Sequence, residues 1–403
     1  MSPFLQLVFG LSVILLTAKL GGYLTTRIGQ PSVLGELVVG LLLGPSLINF
    51  IHLPIITDTH LEETIKHIGE IGVLILMFLA GLELHISDLR RNTRVSALAG
   101  VLGVVLPVVL GLIIGELNGM DFNHAAFLGL TLGATSVSIS AQTLMEMGKL
   151  RSRVGLGLLG AAVFDDVLVI LLLSTMLALV TGGGGGLWQV ILIIVRMLAF
   201  LGLSAAFGMW VLPRLLVAFS RLGISQGPLT LAIVVMMVYG LAAELLGNMA
   251  AITGTFLAGL FFGRLEGREE FESGLHSLAY SFFVPVFFVS IGLSVNIREI
   301  ETSEIGLILV IILVAILGKI AGSGLGARLA GFSWLESAQL GTGMVSRGEV
   351  GLIVAQVGMT QGLLSDNLFS AIVGMVLATT LITPPLLRAL FTRKPGHKPA
   401  EEG

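Results

Sequence analysis

Two adjacent aspartates, Asp165 and Asp166, interrupt an apolar stretch that runs from residue 154 to 179. An ionised carboxylate at membrane depth costs several kcal/mol and by default marks an ion or proton pathway. Neighbouring carboxylates cost more, because each opposes the charge of the other. Packing requires neither. A third charge, Lys319, follows the apolar run that starts at Ile308. A buried ammonium must find a counter-ion or lose its proton, and Asp165 or Asp166 is the obvious partner. Successive residues on a helix point about 100° apart. One aspartate can therefore pair with the lysine while the other faces water and a cation.

A second set of polar residues breaks two other apolar stretches. One contains Gly133, Thr135, Ser136, Ser138 and Ser140; the other contains Gly341, Thr342, Gly343, Ser346, Arg347, Gly348 and Glu349. Hydroxyls and glycines in corresponding places point to helices interrupted near the midplane, with backbone groups lining a cavity. Close packing through small residues is the alternative, but it does not account for Arg347 and Glu349. Those two residues either support the ion site or satisfy helix ends and exposed carbonyls. Glu36 and Glu70 fit packing or gating, and Lys19 and Arg196 can snorkel to an interface.

The elements that position these residues follow from composition. Of 403 residues, 55% are hydrophobic and only 12% charged, with mean hydropathy +1.00. Soluble domains carry about 25% charged residues, so the fold class is an all-α polytopic membrane protein. Its net charge of −3 and lack of a long basic tail speak against nucleic acid, and the lack of cysteine excludes disulfides and thiolate chemistry. Residues 4–20 have no basic flank or small-residue cleavage pattern and read as a retained helix.

Apolar runs of about 20 residues give thirteen expected spans. They centre near Val13, Gly40, Met77, Val105, Thr135, Phe164, Ala199, Val238, Leu257, Val286, Ala315, Arg347 and Met375. Gly182 to Gly186 reads as a flexible turn and the polar end, 392–403, as a disordered tail, with no room for an appended soluble domain. Alternate links hold Arg27; Arg90, Arg91 and Arg94; Lys149, Arg151 and Arg153; Arg214 and Arg221; Arg264 and Arg268; Arg328; and Arg388, Arg393, Lys394 and Lys398. The other links hold only Lys66 and Arg298. By the positive-inside rule, the amino end is expected outside and the carboxyl end in the cytoplasm.

The chain also repeats itself. Gly35, Gly40 and Gly44 match Gly254, Gly259 and Gly263 in spacing. Gly81-Leu82 followed by Ile86 matches Gly292-Leu293 followed by Ile297, and Leu132-Gly133 with Val137-Ser138 matches Leu340-Gly341 with Val345-Ser346. The offsets are 219, 211 and 208, in one order, and each pair lies seven spans apart. Seven is odd, so the second copy crosses upside down. Two inverted six-helix repeats joined by a linker helix, each with a broken helix in the core, is a transporter architecture.

Gln30-Pro31 with Gly35-Glu36 and Gly44-Pro45 resembles the opening signature of the second family of monovalent cation/proton antiporters. So do Gly81-Leu82-Glu83, the run from Val284-Pro285 to Gly292-Leu293, and Arg347-Gly348-Glu349. The resemblance covers essentially the whole chain and is closest to bacterial NapA-type sodium/proton antiporters. Asp165, Asp166 and Lys319 match that type's paired aspartates and lysine. Members with asparagine-aspartate are typically electroneutral, and potassium-efflux members with glutamine-aspartate carry a nucleotide-binding tail; this chain has neither feature. The resemblance implies a homodimer in a bacterial inner membrane, serving pH homeostasis. Scaffold helices would occupy 1–92 and 226–300, and core helices 93–181 and 304–391. A linker helix would lie at 187–220 and a cytoplasmic tail at 392–403.

The expected activity is Na⁺/H⁺ exchange by elevator-type alternating access, electrogenic at two H⁺ per Na⁺. A K⁺/H⁺ or broad monovalent-cation exchanger, including an electroneutral one, is the alternative. Asp166 with the Thr135 and Ser136 hydroxyls or nearby carbonyls would hold Na⁺ or Li⁺. Without the cation a proton would neutralise the carboxylate, because a bare buried charge is costly. No cofactor, nucleotide or nucleic acid is expected, and no enzymatic activity. An intramembrane aspartyl protease needs its carboxylates facing each other, which neighbours on one helix cannot do. A passive channel would lack coupling to a pH gradient.

Overall fold

A computed structural model describes residues 1–84, 92–180, 186–221, 225–265, 269–294, 296, 298 and 305–392. The repeat positions Ile86 and Ile297, the glycine link at 182–185, the arginines Arg90 and Arg91, and the tail at 393–403 lie outside the described residues. Within helices, the side chains of residues 174, 177–180, 186, 187, 189, 190, 269–271, 349, 353, 356, 360 and 366 are also outside them, Glu349 among these.

The described residues are predominantly helical. In order come α1 (Pro3–Arg27), α2 (Ser32–Leu43), α3 (Leu61–Leu82), α4 (Thr93–Leu117), α5 (Phe122–Gly133), α6 (Val137–Glu146) and α7 (Arg153–Val180). A π-turn, Phe207–Val211, joins α8 (Gly186–Ala206) to α9 (Leu212–Arg221). Then follow α10 (Gly227–Leu245), α11 (Ala251–Phe262) and α12 (Glu269–Leu278), the last running through the π-turn Ala279–Phe283 into α13 (Val284–Leu293). The chain closes with α14 (Ile305–Leu329), α15 (Trp334–Gly343), α16 (Glu349–Thr360) and α17 (Asp366–Thr392). Among the described residues, ten helical segments are long and apolar enough to cross a membrane. The outward faces of α1, α4, α8, α10 and α14 expose Leu16, Val105, Leu198, Leu241 and Leu313. Helices apolar on their outside as well as their inside belong in lipid. The chain is a multi-pass membrane protein.

Each expected span centre falls in a helix or, for Thr135 and Arg347, in a gap between two short ones. Length is where the structure departs from expectation. Helices α2 and α11 have 12 residues each, well short of about 20. Both are packed among other helices, where protein can satisfy irregular backbone at their ends. Glycines let them sit that deep. A methyl group at Gly40 of α2 would strike the Val289 carbonyl of α13, and one at Gly259 of α11 would strike the Phe78 carbonyl of α3. Gly292 in turn lies against the Leu41 amide, and Gly81 against the Leu260 amide.

Packing falls into two groups. In one, α2 lies on α1 and α13, and α11 on α3 and α10. In the other, α4 crosses α14 and packs on α5 and α7, while α14 packs on α15 and α17. Close approach again rests on small residues: Gly322 and Gly326 of α14 leave room only for the Leu102 and Leu98 carbonyls of α4. This crossing turns the one charge of α14's apolar stretch, Lys319, inward.

Candidate functional site

Helix α7 is 28 residues long and therefore spans about 42 Å. Asp165 and Asp166 sit near its midpoint. Both are buried, at 1% and 7% exposure, and Lys319 and Arg347 are wholly enclosed. The Lys319 ammonium donates to Asp165 Oδ1 at 2.5 Å. Asp165 Oδ2 is buried without a hydrogen-bond partner. Asp166 points elsewhere: its Oδ2 accepts from the Thr253 hydroxyl at 2.7 Å. The angle between helix neighbours thus separates the two carboxylates into two environments.

Beside α7 run two broken helices. After α5 the chain is extended at Ala134 and Ser136 before α6 begins. After α15 it is non-helical until Glu349 opens α16. The two non-helical segments bond to each other where they meet. The Ser136 amide donates to the Ser346 carbonyl at 3.0 Å, and the Ser346 hydroxyl to the Ser136 carbonyl at 2.5 Å. The Ser140 hydroxyl adds a bond to the Gly343 carbonyl at 2.6 Å. A side chain at Gly348 would run into Ser136, so the residue facing Ser136 must be small.

Breaking a helix leaves carbonyls at its carboxyl end that need donors. Arg347 meets one of them, donating to Leu132 of α5 at 2.6 Å; it also donates to Ala315 inside α14 at 3.2 Å and to Val345. The Arg347 carbonyl accepts from Thr380, which fastens the break to α17. Glu349 lies at the start of α16, with its side chain outside those described.

The Thr135 hydroxyl is buried in the α5–α6 break with no hydrogen-bond partner. Ser136 Oγ lies 2.9 Å from Ser138 Oγ. An unpaired buried hydroxyl and extended backbone are oxygen groups of the kind a small cation takes, while the wall of the space at Asp166 is formed by their neighbour Val137 and not by Thr135 or Ser136. The space at Asp166 is narrow, about 10 Å³, lined by Met77, Val137, Ile252, Thr253 and Phe256 among others. One water needs about that much; a hydrated ion does not fit.

Thr253 escaped the sequence reading. A threonine in an apolar helix gives no signal of its own, and its partner lies 87 positions away. Glu36 is buried in α2. Lys19 donates to the Tyr280 carbonyl at 2.7 Å, and Arg196 to the Leu245 and Leu246 carbonyls at the end of α10. Both cations thus serve backbone carbonyls.

The family model described as sodium/hydrogen exchanger, transmembrane, matches residues 13–393. The chain is 39% identical over 386 residues to the Na⁺/H⁺-K⁺ antiporter GerN of Bacillus cereus, covering 96% of each. It is 34% identical to the Na⁺/H⁺ antiporter of Enterococcus hirae, covering 95% of this chain and 97% of that one. In fold it is similar to the sodium proton antiporter MjNhaP1 of Methanocaldococcus jannaschii. The TM-score is 0.65 at 19% identity, over 96% of this chain and all of that structure's chain.

Proposed function

Because the chain belongs to the transmembrane sodium/hydrogen exchanger family, we propose that it exchanges Na⁺ for H⁺ at Asp166, carrying two protons per Na⁺. The observation behind this reading is the division of labour on α7. Asp165 is neutralised by Lys319, which leaves Asp166 as the carboxylate for which a cation and a proton compete. Thr135 and Ser136, in the neighbouring break, supply further oxygens. Competition for one site couples the two fluxes without any cofactor, because the neutralised form crosses an apolar path more readily than the charged one.

The wider organisation follows the same reading. The ten long segments and the three shorter apolar helices would together make thirteen crossings, with the amino end outside and the carboxyl end in the cytoplasm. Matching glycine contacts at Gly40 and Gly259, and at Gly81 and Gly292, support an inverted repeat. The group built on α4 and α14 would move as the elevator core. The group built on α1–α3 and α10–α13 would stay fixed as the scaffold of a homodimer in the bacterial inner membrane.

Exchange of K⁺ for H⁺ is the second reading, supported by the name of the relative GerN, a Na⁺/H⁺-K⁺ antiporter. Both ions take oxygen ligands and differ in the cavity they fill. The test is proton movement in sealed proteoliposomes on separate addition of Na⁺, Li⁺ and K⁺. A response to Na⁺ and Li⁺ is expected. A response to K⁺ alone overturns Na⁺ selectivity, and no response to any cation overturns antiport.

A further inference from the structure

The bond between Thr253 and Asp166 joins the two packing groups. Asp166 belongs to α7, which packs on α4 and α15; Thr253 belongs to α11, which packs on α3 and α10. The threonine is held firmly. It is 3% exposed, and the next residue, Gly254, lies directly against the Tyr239 carbonyl of α10. Its hydroxyl occupies one of the lone pairs of the carboxylate proposed to hold the cation. Thr253 also lies in the first turn of α11, where the helix dipole favours a nearby negative charge.

On the reading of Asp166 as the exchange site, we propose that Thr253 is a lock, a scaffold hydroxyl that holds the ion-free carboxylate and yields it to the arriving cation. A hydroxyl donates more strongly to a charged carboxylate than to a neutral one. The bond is therefore tightest when Asp166 is empty and weakens when Na⁺ or H⁺ neutralises it. An empty core stays tied to the scaffold, and a loaded core is released. Antiport requires that discrimination, because transit of the empty site would dissipate the gradient. The narrow space at Asp166 agrees with a locked state, since it has no room for an ion with its water.

The lock makes a prediction of sign. Because Thr253 competes with the cation for the carboxylate, removing its hydroxyl should tighten Na⁺ binding. A Na⁺ ligand would behave in the opposite way.

Thr253→Val keeps the branched shape without the donor, and Thr253→Ser keeps the donor. Both are compared with the wild type in proteoliposomes by half-saturating Na⁺ and maximal rate. The valine variant should show half-saturation lowered about tenfold. The serine variant should return toward wild type. If the valine variant fails to fold, Thr253→Ala is read in its place with the same expectation. A raised half-saturation makes Thr253 a cation ligand and overturns the lock; an unchanged value overturns it as well. Wild type without Na⁺-driven proton movement would fault the exchange reading itself, which separates the two failures.

Discussion

At the scale of residues, what matters is how one helix gives two adjacent carboxylates different work. Lys319 pairs with Asp165, and Asp166 accepts from the Thr253 hydroxyl of α11. Asp166→Asn should therefore abolish exchange while the protein still folds, because asparagine can still accept from Thr253 but cannot gain or lose a charge. Cation-driven proton movement by the purified variant checks this; near-normal activity would remove Asp166 from the site. The buried pair gives a second test. Removing Asp165 or Lys319 alone strands a charge, at a cost of about 3–5 kcal/mol. Each single neutral substitution should lower the melting temperature, and the double substitution should recover part of the loss. Strictly additive losses would show that the two do not act on each other. These charges were legible in the sequence because a charge in an apolar run stands out whatever the fold. Thr253 was not, because a threonine's meaning depends on what tertiary packing sets beside it.

At the scale of elements, short helices depend on their neighbours. The residue before α2 is Pro31, which has no side-chain cap to offer. Glu146 at the end of α6 does that work from 114 positions away, accepting from the Ser32 amide at 2.7 Å and the Ser32 hydroxyl at 2.6 Å. Gln142 bonds the same carboxylate at 2.8 Å and accepts from Tyr280 at 3.0 Å. A chain of hydrogen bonds thus ties α6 to α2 and to the turn before α13. Glu146→Ala should cost about 1 kcal/mol, as loss of a helix cap does, and should raise amide exchange in the first turn of α2. Hydrogen exchange followed by mass spectrometry checks it; unchanged protection at residues 32–36 would remove the capping role. The helix breaks at Thr135 and Arg347 could be read from glycines and hydroxyls in an apolar run. The cap on α2 could not, since a glutamate beside the basic link Lys149–Arg153 looks like any solvated surface charge. The 12-residue lengths of α2 and α11 were hidden too, because apolar residues such as Leu47 and Ile48 after α2 and Leu246 and Met249 before α11 continue the apolar run into non-helical chain.

At the scale of the whole molecule, two groups of helices meet at Asp166, the proposed exchange site, and what crosses there would set the charge moved per cycle. If one carboxylate trades a proton for Na⁺ and nothing else titrates, exchange is one for one and electrically silent. Lys319 and Asp165 change that balance. Their pair lies at membrane depth, where a charge without a partner is costly. On the proposed exchange, Na⁺ binding at Asp166 would loosen the Lys319–Asp165 pair, so that the ammonium sheds a proton, and it would take one back when Na⁺ leaves. Two protons would then cross for each Na⁺, and one net positive charge would move opposite to the Na⁺. For one charge per cycle, the Na⁺ ratio that balances a fixed pH gradient should shift about tenfold for every 59 mV. Proteoliposomes clamped at a series of voltages measure this by the Na⁺ ratio at which proton movement reverses. Replacing Lys319 with a neutral residue should flatten the dependence in any variant that still transports, because the second proton has lost its carrier. A reversal point that ignores voltage in the wild type would mean that Lys319 keeps its proton throughout and serves only to hold Asp165.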